Sequence, residues 1–121
     1  MCFNVIVTKN FKKDLKYYIK KKGYYKLAND IKELTKELEK GNFVGDVIKD
    51  INLPDGEDTY KVRMANTTAK VGTSNGFRVI YYVIKNDKEV YYLTIYSKKD
   101  IVTLTDAEIR QLIKAYVEDN N

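Results

Sequence analysis

Phe77-Arg78-Val79-Ile80-Tyr81-Tyr82-Val83-Ile84-Lys85 is the stretch on which the fold turns. It is β-branched or aromatic on both alternating faces, the pattern of a strand covered on both sides. Asn86-Asp87-Lys88 follows as a hairpin turn, and residues 89–97 (Glu-Val-Tyr-Tyr-Leu-Thr-Ile-Tyr-Ser) read as the returning strand. On the N-terminal side, residues 59–65 alternate. Tyr60, Val62 and Met64 fall on one face, Lys61 and Arg63 on the other. The gap from Asn66 to Gly76 is too long for a minimal hairpin loop, which marks it as a functional or mobile segment.

Residues 3–7 read as a short strand, and Thr8 or Asn10 is placed to cap a helix after it. Phe11, Leu15 and Ile19, with Tyr18, lie on one face of that helix, and Gly23 ends it. A second helix is expected from Tyr24 to Lys40, with Leu27, Ile31, Leu34 and Leu38 as its apolar stripe and Gly41 as its stop. Residues 42–58 read as a connector closed by the Pro54-Asp55-Gly56 turn. Its Phe43, Val47, Ile48, Ile51 and Leu53 are expected beneath the helices. Thr105-Asp106-Ala107-Glu108 is a capping box, and Ile109, Leu112, Ile113, Tyr116 and Val117 form the stripe of a last helix. The order is β-α-α-β-β-β-α. It predicts one α+β domain over 1–121, a twisted, mostly antiparallel sheet packed against an N-terminal helical hairpin, with a C-terminal helix.

Composition narrows the chemistry. The chain has 121 residues, 44% hydrophobic and 32% charged, enough for one core. No apolar run approaches a membrane span. Lys9 interrupts the first apolar stretch, so no signal peptide is expected and the cytoplasm is the expected compartment. There is no histidine, which excludes Ser-His-Asp, Cys-His and His-metal mechanisms. A lone cysteine, Cys2, excludes an internal disulfide, and the carboxylates show no metal-ligand spacing. No metal and no cofactor are expected.

The net charge is +5, and it is unevenly placed. Residues 9–26 carry eight lysines against Asp14, and residues 60–99 carry eight basic residues against Asp87 and Glu89. Two basic blocks suggest an anionic partner, most often nucleic acid. If the three strands pair as consecutive hairpins, Arg63, Arg78 and Lys98 or Lys99 converge at one end of the sheet, with Tyr96 there and Lys70 in the loop above. Such a cluster repels itself unless an anion such as phosphate sits within it. RNA cleavage by the 2′-hydroxyl suits these residues. Cations neutralise the pentavalent phosphorane, a base takes the 2′ proton and an acid protonates the leaving oxygen.

At these residues the chain resembles the RelE/ParE toxin superfamily. Tyr60-Lys61-Val62-Arg63-Met64-Ala65, then Gly76-Phe77-Arg78-Val79-Ile80-Tyr81-Tyr82, then Leu93-Thr94-Ile95-Tyr96-Ser97-Lys98 is most similar to its HigB-like branch. Gly45-Asp46-Val47-Ile48 and the opening Asn10-Phe11-Lys12-Lys13-Asp14-Leu15 are similar too. The resemblance spans about Thr8 to Ile113. It implies a RelE-like fold and a type II toxin, a ribosome-dependent endoribonuclease that cuts translated mRNA in the A site of the 30S subunit. A cognate antitoxin would neutralise it, and operator DNA would be met only through that antitoxin. By position, Lys61 and Arg63 match the family's basic pair. Arg78 matches its transition-state stabiliser. Lys98 or Lys99 matches a basic residue after the last strand, and Tyr96 or Tyr116 its C-terminal tyrosine. Lys70, with Lys12, Lys13, Lys16 and Lys20 of the first helix, would meet RNA. Two other readings share the fold: a ParE-type toxin that poisons gyrase without cutting RNA, and a degenerate toxin acting only as antitoxin partner and co-repressor. The full basic set argues against the gyrase reading.

Overall fold

Five strands form a single sheet in the order β1-β5-β4-β3-β2. In this computed structural model, which describes residues 2–118, the strands are β1 (Asn4–Val7), β2 (Asp46–Val47), β3 (Glu57–Met64), β4 (Phe77–Ile84) and β5 (Glu89–Ser97). The helices are α1 (Lys9–Lys16), prolonged by a π-helical turn over Tyr17–Lys21, then α2 (Leu27–Glu39), and α3 (Asp106–Ile113), prolonged by a π turn over Lys114–Glu118. β3, β4 and β5 pair antiparallel as consecutive hairpins, and β1 runs parallel to β5. The fold is α+β with a mixed, mostly antiparallel sheet, as the element pattern predicts.

The pleat divides the sheet into two covered faces. Val62, Phe77, Val79, Tyr81, Val83, Val90, Tyr92 and Ile95 pack with Phe11, Tyr18, Leu27, Ile31, Leu34 and Leu38 of the helical hairpin. Ile80, Tyr82, Tyr91, Leu93 and Tyr96 pack on the other side with Ile109, Ile113 and Val117 of the C-terminal helical segment. β4 is therefore apolar on both faces because helices cover both.

β5 keeps the two faces in phase only by a bulge. Ile80 is opposite Thr94 and Tyr81 is opposite Tyr92, so Leu93 is the extra residue. Thr94, paired with Ile80, donates its hydroxyl to Asp14 of α1 at 2.7 Å. Without the bulge, Ile95 and Tyr96 would exchange faces.

Local chemistry sets the helix ends. Thr8, not Asn10, caps α1: its Oγ1 accepts from the Phe11 N–H at 3.3 Å. Asn10 lies inside the first turn and donates to the Leu93 carbonyl at 2.9 Å. Gly23 ends the first helix in the left-handed region at φ +72°. α2 starts at Leu27 rather than Tyr24, because Gly23 to Lys26 form turns, with the Leu27 N–H bonded to the Tyr24 carbonyl. The capping box at Thr105 and Glu108 is present in both directions.

The connector departs from expectation. Asp46 and Val47 form β2, which pairs with Lys61 and Tyr60 of β3. Gly45, at φ +101°, makes the close approach possible: a Cβ there would lie 2.5 Å from the Lys61 carbonyl oxygen. Phe43 packs under the helical hairpin as expected. Ile48, Ile51 and Leu53 instead pack on the α3 face, and Val47 is exposed. A strand of two exposed residues has no hydrophobic period to read.

Candidate functional site

The register builds the site. Arg63 of β3 is directly opposite Arg78 of β4, and Arg78 is directly opposite Tyr96 of β5. Cross-strand partners share a face, so the three side chains form one row across the sheet, on the α3 side. Lys61 is two residues before Arg63 and shares that face. The Lys98 N–H donates to the Gly76 carbonyl at 3.0 Å, so pairing runs one residue past β5 and sets Lys98 beside the mouth of the 66–76 loop.

The members of the row differ in exposure. Arg63 is exposed, at a sheet edge that β2 leaves uncovered beyond Lys61. Arg78 is only 5% exposed. Its Nη1 donates to the Thr73 carbonyl at 2.9 Å and to the Phe77 carbonyl at 3.3 Å, and its Nη2 donates to the Ser74 carbonyl at 2.9 Å. The guanidinium thus clamps the loop and is not an open cation. Tyr96 is 2% exposed beneath α3. Burial pushes its phenol above the usual value, against opposing effects of the Arg78 charge and of the Leu104 N–H at its oxygen. A buried phenol held protonated does not serve as a base.

The loop over this row is anchored at both sides. Asn66 and Val71 exchange backbone hydrogen bonds of 2.9 and 3.0 Å. Thr67 Oγ1 donates to Asp30 at 2.6 Å and Thr68 Oγ1 accepts from the Lys26 N–H at 3.0 Å, which docks the loop on the start of α2. Lys70 stands exposed at its tip, at φ +59°. The loop's other side is held by Arg78 at Thr73 and Ser74, and the turn after β5 is fixed by Tyr18. Its hydroxyl accepts from the Ser97 N–H at 2.9 Å and donates to Asp100 at 3.0 Å. Burial pushes this phenol strongly upward, so it stays a donor to the carboxylate. Lys99 is held in the same turn, its N–H donating to Ser97 Oγ at 3.2 Å.

The solvent-facing set is therefore Lys61, Arg63, Lys70, Lys98 and Lys99, with Lys61 and Lys98 half-exposed and the others exposed. Among the described residues the ion pairs are Lys36–Glu33, Lys40–Glu37 and Lys85–Asp58, so none of these five cations is in an ion pair, although Arg63 shares a concavity with Asp30, Glu33 and Glu37 of α2. Lys12, Lys13, Lys16 and Lys20 are all exposed on α1 and its π turn, away from the row but joined to it through Tyr18. Tyr116, the other tyrosine considered, is half-buried beside the α3-side core. Among the described residues no three His, Cys, Asp or Glu side chains gather as a metal would require, and no helix is long and apolar enough to cross a membrane. The Tyr18 link was not legible in the sequence, since its partner Ser97 is 79 residues away. The clamp carbonyls of Thr73 and Ser74 carry no side-chain signal at all.

No protein-family model matches the chain, and no curated protein matches it. Among solved structures it is similar to a mutant of the E. coli toxin RelE in the free state. The TM-score is 0.49 and the identity 18%, over 91% of this chain and 98% of that one.

Proposed function

We propose that this protein is the toxin of a type II toxin-antitoxin system, a metal-independent endoribonuclease that cuts translated mRNA in the ribosomal A site. The HigB-like motifs of β3, β4 and β5 support the family reading. The observation that carries the chemistry is the set Lys61, Arg63, Lys70, Lys98 and Lys99 around one end of the sheet, none of them in an ion pair among the described residues.

Attack of a 2′-hydroxyl on the adjacent phosphorus places extra negative charge on the non-bridging oxygens. Arg63, permanently charged and forked, faces that charge. Lys61 stands two residues away on the same face, and Lys98 and Lys99 close the other side. The 2′ proton passes to one lysine of this group that has first given up its own proton to solvent and is neutral, and a second, still protonated, donates to the leaving 5′ oxygen. Arg78 and Tyr96 act as positioning residues: Arg78 holds the loop that carries Lys70, and Tyr96 seats β5 under α3. An isolated cation set grips RNA weakly without a scaffold. Cleavage then depends on the ribosome to present the message and bend it for in-line attack. A cognate antitoxin would neutralise the toxin, and operator DNA would be met only in that complex.

The test is a purified translation reaction with a defined message. Wild-type protein is expected to cut the message within the occupied A-site codon. Arg63→Ala and Lys61→Ala should each lower the rate by at least 10²-fold, the usual scale for removing one transition-state charge contact. Undiminished cutting by both variants, or no cutting on translating ribosomes, would refute the assignment.

A further inference from the structure

We infer that Tyr17, on the π turn that ends the first helix, is a base-stacking site for single-stranded RNA, flanked by lysines that hold the phosphates on either side. The inference rests on the nuclease reading for its choice of RNA.

Five of the eleven tyrosines are buried in the sheet, whereas Tyr17 is 45% exposed and Tyr25, in the turn before α2 and outside the lysine-bordered concavity, is 71% exposed. Its ring lies in a shallow concavity of about 440 Å³ bordered by Lys13, Lys16, Lys20 and Lys21. None of these lysines is in an ion pair among the described residues. An exposed flat ring bordered by the stems of four lysines matches a nucleobase flanked by its own phosphates.

The backbone fixes this arrangement. The Lys22 N–H bonds back to the Tyr17 carbonyl at 3.3 Å, the wide turn of a π helix. π turns interrupt the α register and occur often at functional sites. Tyr18 remains in the core while Tyr17 is carried outward, and the two rings meet edge to face at 5.1 Å and 76°. The buried Tyr18 thus braces the exposed ring at low entropic cost on binding. Tyr18 is also the residue whose hydroxyl bonds to Ser97 and Asp100. The stacking site therefore adjoins the turn bearing Lys98 and Lys99, and a strand held at Tyr17 leads toward the row at Arg63.

The test is fluorescence anisotropy with the purified full chain and two labelled oligonucleotides of equal length and phosphate number, one single-stranded RNA and one abasic. Wild type is expected to prefer the intact RNA by roughly 10-fold, within the range for one base on an aromatic ring. Tyr17→Phe should keep that preference. Tyr17→Ala should abolish it while leaving the salt dependence unchanged, whereas Lys16→Gln and Lys20→Gln should each reduce the salt slope by about one. Retained base preference in Tyr17→Ala would overturn the inference. So would equal binding of both oligonucleotides by wild type, including the case in which the chain binds anionic vesicles instead. Cleavage of mRNA is scored separately. A Tyr17-dependent preference without cleavage would fail the nuclease reading and leave this site standing. Cleavage without the preference would do the reverse.

Discussion

Arg78→Lys should release the 66–76 loop while the sheet stays folded. Arg78 holds two exposed-loop carbonyls, Thr73 and Ser74, each at 2.9 Å. A lysine keeps the charge but has no fork, so at most one of these bonds survives. A hydrogen bond from a charged donor contributes about 1.5–3 kcal/mol net. Thr73 and Ser74 are exposed, so water replaces part of the loss. The loop should open more easily by about 2 kcal/mol, or roughly 30-fold in its opening constant. Native-state hydrogen exchange reads this directly at the Asn66 and Val71 amides, whose mutual bonds close the loop. Their exchange should quicken roughly 30-fold more than that of β4 amides such as Val79. Unchanged protection at Asn66 and Val71 would show that the clamp does not hold the loop, and the positioning role of Arg78 would fall with it.

Three further outcomes follow from the packing. Gly76→Ala puts a Cβ onto the Met64 carbonyl oxygen and 2.9 Å from the Asn66 nitrogen, all rigid backbone. The cost should reach at least about 3 kcal/mol, a fall of roughly 10 °C in Tm by calorimetry, and an unchanged Tm would refute it. Thr59 is fully buried on β3 and its hydroxyl has no partner among the described residues. Thr59→Val should therefore stabilise the fold by about 1 kcal/mol in urea titration, and a loss of that size would show the hydroxyl to be satisfied. Burial pushes the Asp14 carboxyl above its usual 3.8 despite the Thr94 hydrogen bond and the nearby Lys13 charge. The folded chain then holds this proton more tightly than the unfolded one. The contribution is full below pH 3.8 and is lost as pH rises through the raised value. Asp14→Asn should be more stable than wild type at pH 7, with the gap closing in acid; a gap at pH 3 as large as at pH 7 would refute this argument.

What could be read from the sequence was what local chemistry decides. The Leu27–Leu38 stripe, the Thr105 capping box and the double-faced β4 each carry their own signal, and each is present. The row of Arg63, Arg78 and Tyr96 was legible once consecutive hairpins were assumed, because pairing alone sets cross-strand neighbours. Burial within that row was not legible. Arg78 and Tyr96 are covered by the loop and by α3, and where α3 docks is a non-local matter. The π turn at Tyr17 and the bulge at Leu93 escaped for a related reason. Each adds one residue to a regular period, and only packing against a distant element shows where the phase changes. β2 is too short to have a period, although Gly45 beside it was a sign of close backbone approach.

The clamp also changes which residue tests catalysis. Loss of activity in an Arg78 variant would follow from a loosened loop alone, whereas Arg63 is exposed and no hydrogen bond or ion pair holds it among the described residues. The most direct measurement is induced expression in a bacterial host with mapping of mRNA 5′ ends, wild type beside Arg63→Ala. The account predicts growth arrest with new ends inside translated codons, and loss of both in the variant while soluble protein persists. Growth arrest without new ends, or new ends undiminished in Arg63→Ala, would contradict it.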